Sequence, residues 1–171
     1  KSIKTEERKK IWDLGIKIGR YHIYLPKMLK PKAVSLRISL WRLFYQIAND
    51  QDIPRSGLNY LVNKKYNKNF LLLCGFEKFK NHYVRIDILE KLFIKILNKT
   101  DKRKFKIDSE MMNLIGCNKE DFYSLMISMN YKKSNEIDTY FYTGELKRKN
   151  KFISAKRNEN PFKKLLALNL K

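Results

Sequence analysis

The chain is poor in the residues that interrupt or staple a fold. Of 171 residues only 6 are glycine and 4 proline, so most of the backbone should lie in regular elements. The 2 cysteines, Cys74 and Cys117, are far apart and have no C-x-x-C partner, which excludes a cysteine zinc site; buried thiols in a reducing cytoplasm are expected instead. No His–Cys or carboxylate cluster has metal-ligand spacing. No apolar run approaches the length of a membrane span, and no signal peptide is visible. The phosphate-cradling G-x-x-x-x-G-K-[ST] loop, the dinucleotide G-x-G-x-x-G and the nucleophile elbow G-x-S-x-G are all missing. An active site or a cofactor confined to this chain is therefore not expected.

Acid is the other shortage. Asp plus Glu number 17 against 38 Lys plus Arg, a formal net charge of +21. An AT-rich genome explains why Lys outnumbers Arg. It does not explain an excess of base over acid. A field of this size attracts polyanions, nucleic acid first and an anionic membrane surface second. What the chain does have is apolar: 43% hydrophobic and 13% aromatic residues can bury a core, so whole-chain disorder is excluded. The length suits one domain, or two small units sharing a core. It begins with Lys1 rather than Met, which suggests a piece of something longer.

The pattern predicts an α+β, mostly helical chain. Thr5 to Leu14 reads as a helix capped at Thr5, with Ile11 and Leu14 inward. Residues 16–25 alternate like a strand kinked at Gly19. Pro31 opens a long helix to about Asn49, with Val34, Leu36, Leu40, Trp41, Leu43, Phe44 and Ile47 on a broad apolar face. Asn49 to Ser56 is a loop, and Asn69 to Cys74 a short helix stopped at Gly75. A hairpin over Phe76–Ile86 turns near Lys80–Asn81. Asp87 caps a helix to about Asn98, with Leu89, Leu92, Phe93, Ile96 and Leu97 inward. After a charged loop at Lys99–Lys106, Asp108 and Asn118 cap a helical pair, Ser109–Ile115 and Lys119–Met129, joined by a short turn at Gly116. Strands at Tyr131–Lys133 and Thr139–Tyr142 complete the order of a winged helix. Three regions result: 1–56, holding the first helix, strand and long helix; 57–145, hairpin plus winged-helix-like unit; and 146–171, a basic tail ending in a short helix opened by Asn160-Pro161.

Candidate phosphate contacts follow from the charge. Lys27, Lys30, Lys32 and Arg37 surround the start of the long helix, where backbone N–H groups add to the cations. Lys132 and Lys133 lie on the ribbon. Lys147, Arg148, Lys149, Lys151, Lys156 and Arg157 make a tail cluster with no acid among residues 146–158, read as a phosphate-binding arm. Tyr21 and Tyr24 have base stacking as one reading and hairpin packing as the better one. His22 and His82 read as packing or surface residues. Asp108 and Glu110 are a helix cap and a first-turn acid, not an acid–base pair. The second helix of the pair starts Lys119-Glu120-Asp121, acids where a sequence-reading helix would meet phosphate. That argues against a winged-helix transcription regulator and for a strand-guiding module.

The order of motifs resembles the region after the helicase core in alphaproteobacterial superfamily 2 helicases, relatives of the mitochondrial suppressor-of-Var RNA helicases. The resemblance rests first on residues 12–20 (Trp-Asp-Leu-Gly-Ile-Lys-Ile-Gly-Arg), residues 24–31 (Tyr-Leu-Pro-Lys-Met-Leu-Lys-Pro), Leu36-Arg37 and Leu40-Trp41. Weaker matches are Cys74-Gly75-Phe76, residues 84–90, Ile115-Gly116-Cys117 and Asn160-Pro161-Phe162. It implies a cytoplasmic, non-catalytic C-terminal accessory region that guides a single strand of RNA or DNA. ATP and Mg would belong only to an upstream helicase core of the same polypeptide. A protein-interaction module recruiting a nuclease or ribosomal partner, for instance through the C-terminal helix, is the alternative.

Overall fold

Side-chain caps set the sharpest boundaries in this chain, and a single buried carboxylate sets the least expected one. The computed structural model describes residues 4–46, 51–62 and 66–143. Its fold is α+β, with helices and small antiparallel sheets.

Helix α1 (Thr5–Asp13) is capped one residue earlier than expected: the Lys4 N–H donates to Glu7 Oε2 at 3.2 Å. None of its residues is buried. Trp12 and Leu14 are 66% and 72% exposed, a correction to the inward reading of Leu14. Among the described residues no other element packs extensively on this helix.

The segment read as one kinked strand is instead a hairpin, β1 (Lys17–Ile18) against β2 (Ile23–Tyr24). Its turn is held from outside. The Glu90 carboxylate accepts N–H bonds from Arg20 at 2.8 Å, Tyr21 at 2.8 Å and His22 at 3.3 Å. The approach is so close that a Cβ on Gly19 would overlap the carboxylate. Only glycine fits there.

A 3₁₀ turn (Pro26–Leu29) leads into α2 (Pro31–Tyr45), opened by the predicted proline. Only Val34 and Ile38 of α2 are buried. Leu36, Leu40, Leu43 and Phe44 are 57% to 79% exposed, which corrects the broad inward face. The reason is geometric. The stripe Val34–Ile38–Trp41 suffices to cover the narrow surface offered by the next elements, and Trp41 rests on Phe70 with ring centroids 6.2 Å apart.

Strand β3 (Tyr60–Val62) precedes α3 (Lys68–Leu73), which Asn67 caps by accepting from the Asn69 N–H at 2.8 Å. The predicted hairpin follows as β4 (Phe76–Phe79) and β5 (His82–Arg85), and the sheet order is β3-β5-β4. Helix α4 (Ile86–Lys99) starts before Asp87, whose carboxylate instead pairs with Arg85 at 2.6 Å. Phe93 is only half-buried and Leu97 is 54% exposed, so the inward face of α4 is Ile88, Leu89, Leu92 and Ile96.

The charged loop contains a strand, β6 (Lys104–Lys106). Then come α5 (Ser109–Ile115) and α6 (Lys119–Ser128), capped by Asp108 and Asn118 as expected. Gly116 ends α5 at φ +78, a left-handed conformation natural to glycine. Strands β7 (Tyr131–Lys133) and β8 (Thr139–Tyr142) close a second sheet in the order β6-β8-β7.

Two cores form. Val34 and Ile38 share one with Leu61, Phe70, Leu71, Cys74, Phe76 and Tyr83. The other joins α4, α5, α6 and the second sheet around Leu89, Met111, Phe122 and Tyr140. Replacing Glu90 by Ala strands N–H donors of the hairpin turn and should lower folding stability by about 3 kcal/mol. Gln, which keeps an acceptor, should cost less. Urea unfolding measures both, and a Glu90→Ala midpoint equal to wild type would refute the clamp.

Candidate nucleic-acid interface

Because acids are few, where each one is spent decides which cations remain available. Asp87 pairs with Arg85, Glu110 with Lys95 at 2.6 Å, Asp108 with Lys99, Glu136 with Lys104 at 2.8 Å and Asp138 with Lys119 at 3.4 Å. Glu77 meets His22 Nε2 at 2.5 Å, and Glu90 holds backbone. Among the described residues Lys27, Lys30, Lys32, Lys132, Arg20 and Arg103 form no ion pair with a carboxylate, and all are exposed; Lys133, also exposed, lies near enough to Asp138 to help lower its pKa.

The second sheet gathers part of this charge. In its register Lys104 faces Phe141, and Phe141 faces Lys132. Cross-strand partners project on the same side of a sheet, so these residues form one row. It lies on the side opposite Phe105 and Tyr140, which are buried in the core. Phe141 is half-buried, and Lys106, two residues along β6 from Lys104, adds a further exposed cation on that side. An aromatic between cations is a fit surface for a base and its flanking phosphates. Lys133, the other predicted ribbon contact, has its Nζ 6.0 Å from the Tyr123 ring centroid. Lys104 and Lys106 were missed in the sequence because their strand is short and reads as charged loop.

The other predicted cluster is split. Lys27 lies in the 3₁₀ turn, Lys30 at the N-cap of α2 and Lys32 in its first turn, where no side chain caps the helix. Those three point to solvent as a phosphate site requires. Arg37 is engaged internally: its Nη2 donates to the Leu73 carbonyl, and burial lowers its pKa. The six tail residues Lys147, Arg148, Lys149, Lys151, Lys156 and Arg157 lie outside the described residues.

Helix α6 is less available than its place in the helix pair suggests. The Tyr123 hydroxyl donates to Asp138, and Lys119 Nζ lies 5.5 Å from the Tyr123 ring. Ser124 Oγ is 2.9 Å from His82 Nε2, whose Nδ1 is 2.6 Å from the Tyr60 hydroxyl. One flank of the helix is thus tied to the β7–β8 connection and another to the first sheet. Tyr21 packs edge-on against Phe79 and Phe93, the packing role expected of it. Burial pushes both thiols, Cys74 and Cys117, up to about 11, so neither is a ready nucleophile. Among the described residues no His, Cys, Asp and Glu cluster could hold a metal, and no helix is long and apolar enough to cross a membrane. No known family, curated protein or solved structure matches the chain.

Burial lowers the His82 pKa, with Asp121 opposing. A depressed folded-state value means that the unfolded chain binds the proton more readily. The contribution of neutral His82 is therefore complete above the ordinary histidine value and is lost as pH falls below about 6.5. Urea midpoints at neutral and mildly acidic pH should fall further in wild type than in His82→Gln. Equal losses would show that His82 does not govern this window.

Proposed function

We propose that this chain is the non-catalytic, nucleic-acid-binding accessory region of a cytoplasmic, ATP-dependent superfamily 2 helicase, and that it guides a single strand through phosphate contacts. In this reading α4, β6, α5, α6, β7 and β8 form a winged-helix-like unit. The helix-strand-helix-helix-strand-strand order, with β8 between β6 and β7, supports that assignment. The observation that carries the functional reading is the Lys104–Phe141–Lys132 row on a sheet with unpaired cations around it. Such a surface suits sequence-independent contact: point charges meet phosphates and a flat ring accepts any base. The exposed Lys104–Glu136 pair contributes little and can be exchanged for a phosphate.

The acids at the start of α6, and the bonds that occupy its flanks, weigh against a base-reading transcription regulator. The exposed stripe Leu36, Leu40, Leu43 and Phe44 supports a protein contact as well. On this proposal its partner is the helicase core of the same polypeptide, where ATP and Mg would bind. Recruitment of a separate nuclease or ribosomal partner is the reading that the same stripe would favour if nucleic acid did not bind.

Titration of a labelled oligouridylate tests the proposal. With about four phosphate contacts, affinity should fall roughly fiftyfold between about 50 and 200 mM salt. Lys104→Gln with Lys132→Gln should flatten the logarithmic salt slope by about 1.4. Affinity independent of salt would overturn the reading.

A further inference from the structure

Between α4 and the end of the second sheet lies a cleft of about 400 Å³. Phe93 and Leu97 of α4 form one wall; Tyr131 and Tyr142 of the ribbon form another. Two arginines, Arg20 and Arg103, stand at it, and among the described residues no carboxylate lines it. The Arg20 guanidinium lies 4.8 Å from the Phe93 ring centroid and 5.5 Å from that of Tyr142, so it is already held over aromatic faces. Its backbone cannot drift, because its N–H is bonded to Glu90. Arg103 directly precedes Lys104 in the chain. Tyr131 and Tyr142 pair with each other and share the sheet face of Phe105 and Tyr140, so the cleft opens on the side of the sheet opposite the Lys104–Phe141–Lys132 row.

A ring-lined cavity of this size with two arginines at it has a narrow set of natural occupants. A purely apolar ligand would gain nothing from the arginines. A simple anion would gain nothing from the rings. A flat heterocycle joined to a phosphate uses both. We propose that this cleft is a base-binding site, in which one nucleobase of a bound single strand stacks against Tyr142 and the Arg20 guanidinium while Arg103 meets its phosphate. The inference rests on the nucleic-acid reading above and adds a specific pocket to it.

The test uses the full chain, a short labelled oligouridylate and a strand of equal length and charge made of abasic nucleotides. Wild type should bind the base-bearing strand about tenfold more tightly than the abasic one, in the range of one stacked base. Tyr142→Ala should remove most of that difference and leave abasic binding unchanged, whereas Tyr142→Phe should retain it. Tyr142 is 38% exposed, so its truncation should spare the fold, which a urea midpoint checks independently. Salt-dependent binding of both strands with no difference between wild type and Tyr142→Ala would overturn the pocket and leave the general reading standing. Failure of wild type to bind either strand would overturn both.

Discussion

The fold depends on one carboxylate that, among the described residues, bonds to backbone rather than to a cation. Glu90 sits in the first half of α4, 6% exposed, and spends its oxygens on the N–H groups of Arg20, Tyr21 and His22. Charge-assisted bonds of this kind are the strong ones, and together they offset much of the cost of burying the charge. They also bring residues 17–24 onto a helix some seventy positions later. Without them the two-residue strands β1 and β2 would be too short to hold a hairpin. With them, Tyr21 is seated between Phe79 and Phe93, and Arg20 is set over the aromatic cleft.

A second constraint makes one body of two cores. Successive residues of a strand point to opposite faces, and β5 uses this fully: Tyr83 enters one core and Val84 the other. His82 faces α6 and, through the Tyr60 hydroxyl and Ser124, provides a polar tie between the first sheet and that helix. A neutral imidazole serves such a place well, since one nitrogen donates while the other accepts. The sheet β3-β5-β4 is therefore a partition wall, and what packs on either side is held in register by it.

Legibility in the sequence followed the reach of the interactions that set each element. Asp108, Gly116 and Asn118 act within a few residues, so α5, α6 and the ribbon were readable almost to the residue. Glu90 acts across the fold, so nothing local to Gly19 could reveal that the expected strand is a clamped turn. The face of α2 failed for a related reason. Periodicity reports which residues are apolar, not how much surface waits to cover them, and Val34 and Ile38 were enough. Strands β3 and β6 are edge strands made by pairing with β5 and β8, with too few residues for a period of their own. Of the candidate site, Lys132 was legible from its ribbon. Lys104, Phe141, Arg20 and Arg103 join it only through sheet register and the hairpin clamp.

The same local physics explains why the start of α6 is acidic while β6 and β7 carry lysines. The N-terminus of α6 carries the positive end of the helix dipole, and Glu120 and Asp121 satisfy it in the first turn. Those acids favour the helix and repel a phosphate approaching it. A strand has no such macrodipole to satisfy, so β6 and β7 can display Lys104, Lys106 and Lys132 at no cost to their own stability. Putting charge on the sheet face also protects it, because lysines along an edge discourage pairing with another chain. A surface arranged this way meets a strand laid across it more readily than a groove wrapped around it. On the proposed function, that geometry is the one a single strand would use, and the aromatic cleft on the other face of the sheet is a separate site from the row.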